Sequence, residues 1–121
     1  ADVLKMDQTE TIVIAQIEEP EGVDAIDQIA AVDGIDGVFV GPADLAVCYG
    51  VNDVNGPEVM GAMAKVATAA AKHGKCMITF ASNANATAQL KALGVSMIFL
   101  ASEHAFLLTA ANQADAAFRS A

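Results

Sequence analysis

Four short apolar runs, each followed by a segment of helical period, constrain this chain more than any other feature of its 121 residues. The runs are Thr11 to Ile17, Ile35 to Val40, Lys75 to Ala81 and Val95 to Ala101. The first is β-branched and nearly continuous in apolar character, as expected of a parallel strand covered on both faces. Strands that alternate with helices through short connections build a parallel sheet with right-handed crossovers. The expected fold class is therefore α/β: four consecutive βα units with parallel strands, either a small open sheet or half of a TIM-type (β/α)8 barrel. A free half barrel exposes two long strand edges. A barrel reading therefore calls for the remaining strands from another segment, a second chain or a longer parent protein.

Between the runs the pattern is helical. Ala1 to Glu10 is polar and reads as a helix tail or a linker into the first strand. Val23, Ile26, Ile29, Ala30 and Ala31 or Val32 recur at helical spacing, and Asp33-Gly34 stops that helix. Gly41 to Leu45 reads as a turn and Ala46 to Gly56 as a longer loop. Pro57 then suits a first helical position, with Val59, Met60, Met63, Val66, Ala67 and Ala70 on the apolar face and His73-Gly74 at the end. Ser82 and Asn83 are positioned to cap a short helix through Leu93, stopped by Gly94. Ser102 caps a last helix whose apolar side includes Phe106, Leu107, Ala110 and Phe118. With no sequence repeat or internal linker, residues 1–121 read as one domain.

Composition narrows the partners. A formal charge of −9 argues against nucleic acid and against an anionic membrane surface, since both need basic patches. No apolar run approaches the roughly 20 residues of a membrane span, and no signal peptide opens the sequence. Cys48 and Cys76 are too distant in sequence for a metal-binding pair. Reduced thiols in a cytoplasmic protein are the expectation.

Two acids stand where chemistry is expected. Glu18 closes the first apolar run and Asp44 follows the second, with one helix-length segment between them. In a parallel α/β fold both carboxylates then lie at the carboxyl edge of the sheet, where such folds place their sites. Alternation along the strand turns Gln16 and Glu18 to one side and Ile17 to the other. Two carboxylates plus waters form an oxygen site of the kind Mg²⁺ or Mn²⁺ accepts. The same two acids are equally compatible with capping the helices that follow them.

Gln16-Ile17-Glu18, followed by Asp33-Gly-Ile-Asp-Gly-Val-Phe-Val-Gly-Pro-Ala-Asp-Leu45, resembles the HpcH/HpaI aldolase/citrate lyase family, the class II metal-dependent pyruvate aldolases. The likeness runs from about Thr11 onward. Its most specific part is the Gly41-Pro42-Ala43-Asp44-Leu45 block at the right distance after Gln-x-Glu. The resemblance implies a (β/α)8 barrel of which this chain is the carboxyl-terminal half, so the missing half of the barrel is an expected partner. It implies that Glu18 and Asp44 bind a divalent metal, Mg²⁺ or Mn²⁺ with Co²⁺ also admissible, and that Gln16 orders the metal's surroundings. It implies that the turn Gly41, Pro42, Ala43 and Asp44 holds the carboxylate of pyruvate through the backbone amides of Ala43 and Asp44. The implied reaction cleaves a 4-hydroxy-2-oxo acid to pyruvate and an aldehyde, with the enolate charge taken up by the metal.

The resemblance also implies a histidine base and an arginine on the keto oxygen, both carried by strands that come before Gln-x-Glu in the family. His73, at a helix end, reads instead as a surface residue, and His104 as a solvated residue of the last helix. Homo-oligomers in which the last helix packs on a neighbour are common in the family, and the Ala105 to Leu108 run suits either that or packing within the chain. Two alternatives stand beside the aldolase: a CoA-thioester lyase of the malyl- or citramalyl-CoA type, and a non-catalytic half-barrel assembly module. Among other residues, Asp53 to Gly56 reads as a plain turn, Cys76 as strand core, Met60 and Met63 as a buried helix face, and Glu19 and Glu21 as first-turn acids.

Overall fold

The computed structural model describes residues 11–120; the expected helix tail or linker over 1–10 lies outside them. Strands β1 (Ile14–Ile17), β2 (Gly37–Val40), β3 (Cys76–Ala81) and β4 (Met97–Leu100) form one sheet in the order β1-β2-β3-β4, every pair parallel. Helices α1 (Pro20–Asp24), α2 (Ile26–Ala30), α3 (Pro42–Tyr49), α4 (Pro57–Lys72), α5 (Thr87–Ala92) and α6 (Glu103–Ser120) alternate with them. Sequential strand order with a crossover helix each time is the arrangement of half a (β/α)8 barrel.

One face of the sheet is closed by helices. Ile17, Val38, Val40, Met77, Thr79 and Ala81 are buried there, against a core to which α4 contributes Val59, Met63 and Val66. The opposite face is open. The register row Gln16, Phe39, Ile78, Met97 runs across it, and Phe80, Met97 and Phe99 stand 41%, 42% and 50% exposed on that face. The rings of Phe39 and Phe99 meet across β3 at 5.3 Å between centroids, and Ile78 on the strand between them is buried. A helix-free apolar face of this kind is what a closed barrel turns inward. Cys76, expected in the core, lies on this face and is exposed, because alternation from buried Met77 turns it away from the helices.

Several boundaries differ from the sequence reading. β1 begins at Ile14, and at Val13 the N–H donates to the Asp36 carboxylate at 2.8 Å while the carbonyl accepts from the Asp36 N–H at 2.8 Å. The single helix expected from Val23 is two, offset at Ala25 (φ −88°, ψ 4°), so that Val23 and Ile26 both reach the core. The largest correction concerns Gly41 to Gly56. The expected turn and the first residues of the expected loop, as far as Tyr49, are a helix, α3, with extended Gly41 as N-cap, Pro42 in its first turn and left-handed Gly50 (φ 69°) closing its end; the rest of the loop stands. Both boundary signals stand in the sequence, and buried Leu45 and Ala46 anchor the helix to the core.

Other expectations match. Asn83 caps the 3-10 turn before α5 through the Asn85 N–H, and Ser102 Oγ accepts from Ala105 N–H at the start of α6. Asp53 to Gly56 is a turn held by Asn55 N–H to Asp53 Oδ1 at 2.9 Å. No residue of α6 is buried among the described residues; Phe106, Leu107, Leu108 and Phe118 are 57% to 84% exposed. The last helix therefore buries none of its side chains against the other described residues.

Candidate active site at the carboxyl edge of the sheet

The register that sets Ile17 opposite Val40 carries the chain of both strands off the same edge. Gly41 N–H then donates to the Ile17 carbonyl at 3.0 Å, so the residue after β1, Glu18, lies beside Gly41. Asp44 stands one helical turn on, in the first turn of α3, and its side chain folds back over the same glycine. A Cβ built on Gly41 would lie 2.9 Å from Asp44 Oδ2 and 3.3 Å from Glu18 Cβ. Since φ of −91° suits any residue, glycine is needed here for space rather than for conformation. The two acids thus converge on one buried backbone position.

Gln16 joins them. Its Nε2 donates to Glu18 Oε2 at 2.5 Å, which fixes one carboxylate oxygen and leaves the other available. The Asp44 carboxylate has no hydrogen-bond partner among the described residues. Neither acid caps a helix: the N-caps of α1 and α3 receive no side-chain hydrogen bond. The capping alternative therefore has no contact to support it. The described residues hold no group of three or more His, Cys, Asp and Glu side chains placed to bind a metal. What is assembled is a pair of carboxylates steadied by one amide.

The start of α3 adds donors. Leu45 N–H is bonded to Gly41 O at 3.0 Å, whereas the amides of Ala43 and Asp44 have no acceptor among the described residues. Pro42 contributes no N–H. Two adjacent free amides at the positive end of a helix suit a carboxylate. The amides expected from a turn are thus supplied by a helix terminus, whose dipole adds to theirs. Beneath them, buried Thr79 donates from Oγ1 to the Val40 carbonyl at 3.0 Å, tying β3 to the residue just before Gly41.

A cavity of about 470 Å³ opens beside this helix start, with Pro42 and Ala43 in its wall. Ser82 and Asn83 read in the sequence only as capping residues and Asn55 only as part of a turn; that they line a cavity with Asn85 and Gln89 is not legible there, because single amides in loops carry no motif. Thr79 was also missed, although a hydroxyl in the apolar run Cys-Met-Ile-Thr-Phe is a readable signal. The histidines lie elsewhere. His73 lies at the surface at the far end of α4, its ring 22% exposed and 3.0 Å from Asp27. His104 is solvent-exposed, 3.6 Å from Glu103.

Residues 4–110 match the family model described as HpcH/HpaI aldolase/citrate lyase. Over 64 residues, 52% of this chain and 25% of the relative, the sequence is 48% identical to a 5-keto-4-deoxy-D-glucarate aldolase of Enterobacter sp. strain 638. The fold superposes on an HpcH/HpaI aldolase/citrate lyase family protein of Burkholderia cenocepacia J2315 with a TM-score of 0.90 at 37% identity, covering 98% of this chain and 46% of that one. It superposes on the HpcH/HpaI aldolase of Desulfitobacterium hafniense DCB-2 with a TM-score of 0.89 at 27% identity, covering 99% and 47%. The chain thus spans less than half the length of each of these three relatives.

Proposed function

Because the chain belongs to the HpcH/HpaI aldolase/citrate lyase family, we propose that it is the carboxyl-terminal half of a metal-dependent pyruvate aldolase barrel and carries that enzyme's metal and pyruvate end. The observation that carries the reading is the convergence of Glu18 and Asp44 on Gly41 beside the free amides of Ala43 and Asp44. The donor set fits a hard cation. Mg²⁺ and Mn²⁺ are commonly held by one or two carboxylates, with waters and substrate oxygens completing the shell. Glu18 and Asp44 would be the protein ligands, and a cation bound there would supply Lewis acidity to a 2-oxo acid.

The chain's own residues do the rest of this end's work. Gln16 holds the Glu18 carboxylate in one orientation through its amide. The Ala43 and Asp44 amides hold the substrate carboxylate without a side-chain counter-charge. Gly41 keeps the space between the acids clear, and Pro42 stiffens the approach without competing as a donor. The substrate is a 4-hydroxy-2-oxo acid, split between C3 and C4 to pyruvate and an aldehyde. The related Enterobacter protein, named for 5-keto-4-deoxy-D-glucarate, supports that class. The group that moves the proton and the cation facing the keto oxygen belong, on this reading, to strands that complete the barrel against the open face of the sheet.

The exposed α6 supports a homo-oligomer in which this helix packs on a neighbouring protomer. The absence among the described residues of any helix long and apolar enough to cross a membrane fits the cytoplasmic location proposed here.

Calorimetric titration with Mn²⁺ tests the assignment. Binding is expected in the wild type and lost in Glu18→Gln and Asp44→Asn. Unchanged binding in both variants places the metal elsewhere. If Mn²⁺ binds but the completed barrel does not exchange the C3 protons of pyruvate, the chain is a binding or assembly module instead.

A further inference from the structure

Three surfaces of this chain stand uncovered together: the open face of the sheet, the two sheet edges and the last helix. On the open face every strand side chain is uncharged, from Gln16 through Phe39 and Phe80 to Met97 and Phe99, in a chain whose net charge is −9. β1 and β4 each pair on one side only, and a strand edge left open invites another strand. On the helical side, α4 packs on both β2 and β3, the two strands that it connects. α6 follows β4, and the described residues hold no fifth strand to complete the same kind of seat. Leu100, in register with buried Ala81, is accordingly exposed on that side.

A second copy, turned about a twofold axis parallel to the strands, covers all three at once. That operation keeps the strand direction and sets β4 of each copy against β1 of the other. It makes two equal seams, so the interface closes on itself. Four strands and four more make eight, the number at which side chains just fill the interior of a barrel. Each α6 then lies over the seam between its own β4 and the partner's β1, the place where its apolar face has something to cover.

Charge and area suit this occupant. Two uncharged faces meet without opposing like charges, although each copy is strongly acidic elsewhere. On a scale of about 200 Å² for a fully exposed large side chain, Phe80, Met97, Phe99, Leu100, Leu107 and Phe118 leave roughly 700 Å² uncovered per copy. A stable interface takes about 800 Å² from each partner, and exposed Ile12 and Val13 beside the β1 edge add to the total.

We infer that this chain pairs with a second copy of itself, through the open face and both edges, into a closed twofold barrel of eight parallel strands. The pairing does not depend on the aldolase reading. A barrel closed in this way holds two Glu18 and Asp44 pairs at one mouth and shuts out the strands that reading calls for. Self-pairing and completion of the enzyme thus compete for one surface.

Sedimentation equilibrium of the 121-residue chain should give a dimer and nothing larger. Phe99→Glu and Met97→Glu each place a charge in the apolar interior and should each weaken the dimer by about tenfold or more. Circular dichroism should stay as in the wild type, because both side chains are already half exposed in the single chain. Cys76 reports on the face itself. In a Cys48→Ser background its thiol, exposed in the single chain, should react more slowly with a disulfide reagent as the chain concentration rises through the dimerisation range. A monomer at every concentration, a species larger than the dimer, or a dimer that leaves Cys76 reactive and ignores both glutamates overturns the inference. Mn²⁺ binding is a separate measurement: its loss sinks the aldolase reading and leaves the pairing standing.

Discussion

Gly41 and Asp44 meet in the one way that only a glycine allows: a methyl group on Gly41 would stand 2.9 Å from Asp44 Oδ2, closer than real Cβ contacts come. Glu18 Cβ lies on its other side, at 3.3 Å. Gly41→Ala should therefore keep the fold, since φ −91° and ψ 91° are open to alanine, while driving the two carboxylates apart. Mn²⁺ affinity should fall by about tenfold or more with the urea midpoint little changed. An alanine variant that binds Mn²⁺ as the wild type does would show that the acids do not share a ligand.

Gln16 reaches the site only through Glu18. Gln16→Leu removes the amide that orients the carboxylate and places an apolar side chain on the open face, where stability is not at stake in the isolated chain. Removing such a supporting contact typically costs about 10- to 100-fold in metal affinity. Calorimetry should show that loss with the binding stoichiometry intact. A vanished stoichiometry would instead make Gln16 a ligand in its own right.

How much of this could be read from the residues follows from where the signals lie. Strand identity was legible because β-branched runs such as Thr11 to Ile17 and Lys75 to Ala81 need only local pattern. The convergence of Gln16, Glu18 and Asp44 on one edge followed from alternation and topology. The helix Pro42–Tyr49 was not read, although Pro42 and Gly50 mark both its ends, because its eight residues present only two buried side chains and so no clear periodicity. The open face escaped notice for a different reason. Cys76 and Phe80 look like core in a strand, and only the layering of helices on the opposite face shows that they are not.

Thr79 is the buried polar residue among those described, and its hydroxyl donates to the Val40 carbonyl. Thr79→Val is nearly isosteric and leaves that contact unmade. It should destabilise the chain by roughly 1 kcal/mol, read as a lower urea midpoint at an unchanged m-value. Mn²⁺ affinity should hold, because the bond fixes the strand end rather than a ligand. A loss of metal binding equal to that of Gly41→Ala would promote Thr79 from a strand tie to part of the site.

At the opposite end of α4, Asp27 accepts from Lys72 at 2.7 Å and lies 3.0 Å from the His73 ring. The hydrogen bonds from Lys72 and then His73 hold its carboxyl below its ordinary value of 3.8. Folded protein therefore binds this proton less readily than unfolded chain. The resulting stability is present above 3.8 and is lost as pH falls below it through the lowered value. Asp27→Asn should flatten that part of the acid limb in thermal melts between pH 6 and 3, and high salt should shrink the difference because the group is exposed. An acid limb that is the same in both proteins would remove Asp27 as its source.

Along α6, Leu107, Ala111, Ala114 and Phe118 follow one another at spacings of four, three and four residues, which places them on one helical face. None is buried among the described residues. An 18-residue helix that buries nothing against the other described residues gains little tertiary support from them, and most helical stability in proteins comes from packing rather than propensity. The apolar face is left uncovered by the described residues, and a second protomer is the partner proposed. Leu107→Asp with Phe118→Asp should convert the oligomer to monomers in light scattering after gel filtration. The urea midpoint of the dissociated chain should not move, because the substituted side chains touch no core. An unaltered oligomer would place the interface on another face, and a collapsed monomer would mean that α6 folds back on its own sheet.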